Sequence, residues 1–162
     1  MTTRRRTAIL ISGRGTNMAA LIEAARAPSY PAEIVLVISN IPTAKGLETA
    51  RAVGIKSLVI SHKEYSNKST FETALSHALN EENIELVCLA GFMRVLSADF
   101  VSRWTGRILN IHPSLLPAYR GLDTHKRVLA DGVKEHGCTV HFVVPELDAG
   151  PVIAQAIVPV LD

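Results

Sequence analysis

"TAILISGRGTNMAALIEAARA", residues Thr7–Ala27, decides the fold class. Its first part, Thr7–Gly13, is a short and almost wholly apolar run that ends in glycine. Such a run reads as a strand buried on both faces, because a half-exposed strand would alternate polar and apolar residues. From Thr16 to Ala27, Ala, Leu and Ile recur at helical spacing until Pro28 stops them. A buried strand that turns through glycines into a helix is the opening half of a βαβ unit.

The rest of the chain repeats that alternation. Glu33–Asn40, Lys56–Ile60, Ile84–Gly91 and Arg107–His112 read as further strands. Thr43–Gly54, with its internal Gly46, Lys68–Asn83 and the short Ala98–Arg103 read as the helices between them. After Gly121 the texture changes: Thr124–Gly132 is helical, and Cys138–Val144 alternates more than the early strands. Pro151–Val160 can pair with that strand antiparallel, and its composition looks too apolar for a surface element. The expected class is α/β: a mostly parallel open sheet with helices on both faces, Rossmann-like, with an antiparallel C-terminal extension.

At 162 residues the chain has room for one ordinary domain, and no repeat or linker divides it. Hydrophobic residues make up 48% and charged residues 20%, a globular profile. A net charge of +2 gives no field that favours nucleic acid or an anionic membrane as partner. No apolar run approaches the roughly 20 residues of a membrane span, and the N-terminus has no signal-peptide pattern. The Arg4-Arg5-Arg6 run reads as a solvated tail. Cys88 and Cys138 lack metal or redox spacing and read as reduced thiols of a cytoplasmic protein.

In open α/β sheets ligands bind beyond the carboxyl ends of the strands, which directs attention to Gly13–Asn17, Ser39–Asn40, Gly91–Arg94 and Asn110–Pro113. "SGRGTN" (Ser12–Asn17) opens the first helix and suits a phosphate monoester, since glycines admit close approach and the helix end offers free N–H groups. It is not a dinucleotide fingerprint: Met18 stands where a third glycine belongs, and Ser39-Asn40 replaces the acidic residue that would hold a ribose. The plainer reading is a tight turn in which Thr16 caps the helix.

"LNIHPS" (Leu109–Ser114) carries Asn110 and His112 two positions apart, hence on one face of a strand that Pro113 terminates. Either residue alone reads as a satisfied core polar group. "PELDAGPVI" (Pro145–Ile153) adds Asp148 in a Gly/Pro loop, able to face the imidazole. An amide and an imidazolium can donate to a developing oxyanion, and a carboxylate favours the imidazolium and helps move protons. No serine or cysteine sits in a nucleophile elbow. His112, His125, His136 and His141 show no metal-ligand spacing, so no metal is expected; His141 reads as a supporting residue and His136 as loop.

Five segments, "ISGRGTN", "LAGFMRVLS", "LNIHPSLLPAYRGLDTH", "HGCTVHFV" and "ELDAGPVIAQ", occur in the order seen in the phosphoribosylglycinamide formyltransferase family. The chain resembles that family from near residue 7 to its end. The resemblance implies an enzyme of purine biosynthesis, a folate-dependent transferase. It would move a formyl group from the co-substrate 10-formyltetrahydrofolate to the amine of 5-phosphoribosylglycinamide. It implies Asn110, His112 and Asp148 as the catalytic set, and Gly15, Thr16 and Asn17 as the ribonucleotide loop. Folate would meet Lys68, Met93, Arg94, Val95, Leu96, Asn110 and the loop Val144, Pro145, Glu146, Leu147 and Asp148. Small molecules are the implied partners, with no nucleic acid or membrane, for a cytoplasmic monomer or homodimer. Family members continue several tens of residues further with a closing helix. The resemblance therefore implies a single formyltransferase domain over 1–162 without that helix.

Three other readings share these residues. Formyltetrahydrofolate deformylase and methionyl-tRNA formyltransferase resemble the same core, each with a further domain. A phosphate-binding module without chemistry would keep the glycine loop and have no use for Asn110 or Asp148.

Overall fold

A computed structural model of the protein describes residues 3–161. The chain forms two compact units, residues 1–97 and 98–162. In the first, strands β1 (Arg5–Ile11), β2 (Ala32–Ser39), β3 (Lys56–Val59) and β4 (Leu86–Leu89) are joined by helices α1 (Thr16–Ala24), α2 (Lys45–Ala52) and α3 (Lys68–Glu81). The strands lie in the order β3-β2-β1-β4 and every adjacent pair is parallel. From β1 the chain winds outward through β2 and β3, then returns to place β4 on the other side of β1. Strand order therefore reverses beside β1, the position at which open α/β sheets leave a crevice at the strand ends.

Apolar continuity explains the burial. Ile9 and Ile11 join Val37, with Met18 and Ile22 of α1 and Leu47 and Ala50 of α2, in one cluster. The alternate residues Ala8, Leu10, Leu36 and Ile38, which point the other way, are equally inaccessible. Both faces are covered, as the continuous runs require. Gly46 within α2 has a packing reason: its N–H donates to the Gly13 carbonyl at 3.0 Å, and a Cβ there would lie 2.5 Å from Ile11 Cδ1. Side-chain bulk at that position would push α2 off the glycine loop.

The second unit holds α4 (Ala98–Arg103), β5 (Ile108–His112), α5 (Thr124–Asp131), β6 (Glu135–Phe142) and β7 (Val152–Pro159). β6 runs antiparallel to β5 and β7 antiparallel to β6. The expected class therefore holds: an α/β protein with parallel strands first and antiparallel strands at the C-terminal end. No helix among the described residues is long and apolar enough to cross a membrane.

Four local expectations are corrected. Arg4 and Arg6 are not a solvated tail. The Arg4 guanidinium donates to the carbonyls of Tyr30 (3.0 Å), Ala32 and Ala25, and Arg6 Nε donates to Glu82 O at 2.8 Å. β1 already begins at Arg5, and these side chains fasten its start. His136 lies in β6 rather than a loop. Thr16 is the first residue of α1 and caps nothing; Gly15, in the left-handed conformation, is the N-cap. β7 forms where expected, yet all eight of its residues are exposed, because it is paired along one edge with β6 alone among the described strands.

Candidate active site

In the second unit, β5 projects Asn110 and His112 to one side, and His112 is buried. Its ring is held at both nitrogens. Nε2 is 2.9 Å from the Tyr119 carbonyl, and Nδ1 is 3.5 Å from Asp148 Oδ1. Only 7% of either side chain is exposed in this His112–Asp148 pair. Both ring nitrogens thus face oxygen acceptors, an arrangement in which an imidazolium has a partner for each N–H. Asp148 takes a left-handed backbone conformation (φ 52°), and its second oxygen accepts the Gly121 N–H at 2.9 Å. Asn110 Nδ2 lies 3.2 Å from Nε2 of the buried His141, its partner across the antiparallel pair. The structure therefore brings together the amide, the imidazole and the carboxylate that strand periodicity and the Gly/Pro loop suggested.

The loop Val144–Asp148 runs outward from this cluster. Val144 is half-buried; Pro145, Glu146 and Leu147 are exposed. Glu146 and Arg120 stand 4.0 Å apart at the surface, a contact that contributes little to stability. Cys138 is a free thiol in β6.

In the first unit, the glycine loop leads to Gly15, Thr16 and Asn17 at the start of α1. The Gly15 carbonyl accepts the first helical bond from Ala19 N at 2.8 Å, and no side chain caps this end. Thr16 and Asn17 are exposed there. Their N–H groups point from a helix N-terminus, which carries a partial positive charge that suits a phosphate.

The segment Met93–Leu96 belongs to the same unit. Met93 and Val95 are 65% and 64% exposed, while Leu96 is buried. Exposed apolar side chains on a loop that is fastened at both ends are available to an apolar ligand. The fastening is specific. Ser12 Oγ accepts the Met93 N–H at 2.8 Å, and the buried Glu72 carboxylate takes both the N–H and the hydroxyl of Ser97. Lys68 begins α3 and is exposed, next to a capping box between Asn67 and Thr70.

Sequence reasoning missed the group that ties these loops together. Ser12 Oγ donates to Asn40 Oδ1 at 2.5 Å, and Asn40 Nδ2 lies 3.2 Å from His62 Nδ1. His62 sits in a single 3-10 turn, His62–Glu64, for which no periodicity speaks. Partial burial and then the charges of Arg94 and Lys63 hold its imidazole below the ordinary histidine range. Ser39-Asn40 was visible as a strand end; its partners on two other elements were not.

Comparison with known proteins identifies the family and the fold. A family model described as "Formyl transferase" matches residues 5–162. The trifunctional purine biosynthetic protein adenosine-3 of Gallus gallus is 52% identical over 98% of this chain, which spans 16% of that protein's length. The phosphoribosylglycinamide formyltransferase of Escherichia coli is 47% identical over 94% of this chain, which spans 72% of it. The crystal structure of phosphoribosylglycinamide formyltransferase from Brucella melitensis, 52% identical, superposes with a TM-score of 0.94 over 98% of this chain and 82% of that one. The chain belongs to the formyl transferase family, in its phosphoribosylglycinamide formyltransferase group.

Proposed function

We propose that the chain transfers a formyl group from 10-formyltetrahydrofolate to the amine of 5-phosphoribosylglycinamide, a step of purine biosynthesis. One observation carries the reading: a buried His112–Asp148 pair with Asn110 on the same strand face, and no nucleophile of its own in the cluster. A site so equipped stabilises charge and moves protons, and leaves the attack to the substrate's amine.

In this reading the amine nitrogen adds to the formyl carbon, and the carbonyl oxygen becomes an oxyanion. Asn110 N–H donates to it, and the His112 Nε2–H joins it by leaving the Tyr119 carbonyl, while Nδ1 stays on Asp148. The bond from carbon to folate nitrogen then breaks; that nitrogen gains a proton and the amine nitrogen loses one. His112, with Asp148 behind it and water between, carries the exchange. Gly15, Thr16 and Asn17 hold the ribonucleotide phosphate at the α1 N-terminus. Met93, Arg94, Val95 and Leu96 take the folate ring system, with Lys68 and Val144–Asp148 as further folate contacts. The folate is a co-substrate and is consumed as the formyl donor. Cytoplasmic location belongs to the same reading.

The test follows folate deformylation by absorbance with and without the amine substrate. Turnover that requires the amine is the expected result. Turnover without it would favour a deformylase, and none in either condition would leave a binding module.

A further inference from the structure

The partner of Asn110 gives His141 a definite chemical role. His141 faces Asn110 directly across the β5–β6 pair and is 2% exposed. Its Nδ1 lies 2.9 Å from the Phe142 carbonyl oxygen. A carbonyl only accepts, so Nδ1 carries the hydrogen. A neutral imidazole has one N–H, which leaves Nε2 with a lone pair. The Asn110 nitrogen, 3.2 Å from that lone pair, must then donate. The amide is thereby fixed with its NH₂ end toward His141, and the second N–H of the same nitrogen stays free.

That constraint matters because the end of an asparagine side chain is a soft, nearly two-fold rotor. Turned over, Asn110 would present a carbonyl oxygen where a donor is needed, and an oxyanion would meet a lone pair. The neighbouring backbone holds the arrangement in turn. Phe142 N–H donates to the Pro151 carbonyl at 3.0 Å, and the chain passes over the Phe142 carbonyl at Gly150. A Cβ on Gly150 would lie 1.6 Å from Phe142 O and 3.5 Å from His141 Nδ1. Only glycine lets the strand after Asp148 cross there without displacing the oxygen that sets the His141 tautomer.

We propose that His141 is a positioning residue for formyl transfer: it holds the Asn110 amide with an N–H directed at the developing oxyanion. This rests on the reading of Asn110 as an oxyanion donor. Two measurements test it. The first is the ¹⁵N NMR pattern of the His141 ring in the folded chain, assigned by comparison with His141→Gln. The expected result is the tautomer protonated at Nδ1 and bare at Nε2; protonation at Nε2 overturns the proposal. The second compares His141→Leu with His141→Gln, whose side-chain oxygen can still accept from Asn110. Loss of orientation in the leucine variant is expected to lower kcat by about 10- to 100-fold, with KM for both substrates nearly unchanged. The glutamine variant is expected to recover most of that loss. Equal losses in both, no loss in leucine, or a loss carried by KM each overturn the role. Thermal melts of both variants separate misfolding from misorientation, and the NMR result on the unsubstituted chain does not depend on either. Were the unsubstituted chain to transfer no formyl group, the functional reading and the positioning role would fall together. The tautomer would still be decided by NMR alone.

Discussion

His112 and Asp148 meet through one oxygen of the carboxylate, while the other oxygen is tied to the backbone at Gly121. The carboxylate is thus held from behind and presents Oδ1 to the imidazole as a fixed acceptor. Asp148→Asn keeps the shape and removes the charge. Turnover is expected to fall by at least ~10²-fold, in the range of a lost proton-transfer partner. Near-normal steady-state rates in that variant would remove Asp148 from the mechanism.

Asn110→Leu removes the amide donor from a half-buried position two residues before His112. A single oxyanion donor is typically worth about 10²–10³ in kcat. The expected loss is of that size, with ligand affinities little changed. A variant that turned over normally would show that the oxyanion is held by other groups.

Gly150→Ala drives a methyl group into the Phe142 carbonyl. The cost is expected at the upper end of overpacking, about 3 kcal/mol. Urea denaturation measures it, and a change below about 1 kcal/mol would mean that the loop moves aside freely.

His125 Nδ1 and His136 Nε2 are 2.8 Å apart, their rings edge to face. Partial burial and then the charge of His125 hold His136 below the ordinary histidine range. The folded chain therefore takes up a proton at His136 less readily than the unfolded chain. Stability contributed above the ordinary value is lost as pH falls through it. Between about pH 7.5 and 5.5, His125→Gln is expected to lose less stability than the parent. Parallel denaturation midpoints in the two proteins would contradict this.

The Cys88 thiol is pushed up to about 11 by burial beside the core of the first unit. At pH 8 that leaves about one thiol in a thousand ionised. Alkylation of Cys88, read by mass spectrometry, is expected to be far slower in the native chain than in denaturant. Comparable rates would place the thiol in contact with solvent.

Much of this was legible in the sequence, for identifiable reasons. The strands that became β1 to β4 are continuous apolar runs, and burial on both faces produces such runs. Asn110 and His112 could be paired because a strand repeats every two residues, and Asp148 because Gly and Pro marked its loop. The start of β6 was not legible: Glu135 and His136 are polar, and their place in the strand comes from backbone pairing with Pro159 and Val158. The exposure of β7 was misjudged because apolar composition reports a preference for burial, whereas burial itself needs a covering element. The Asn110–His141 contact depends on the register of an antiparallel pair, which no local pattern encodes.

The bonds around Ser12 have one more consequence. Met93 N–H donates to the Ser12 oxygen, so the hydroxyl hydrogen goes to Asn40 Oδ1, and the Asn40 nitrogen is left to donate to His62 Nδ1. Every hydrogen in the series points the same way, from the loop that begins at Met93 toward the imidazole. His62 must therefore carry its own proton on Nε2, since a hydrogen on Nδ1 would meet the N–H of Asn40 head-on. The series is a one-way wire, and its sense of direction is fixed by a backbone amide that cannot be reversed.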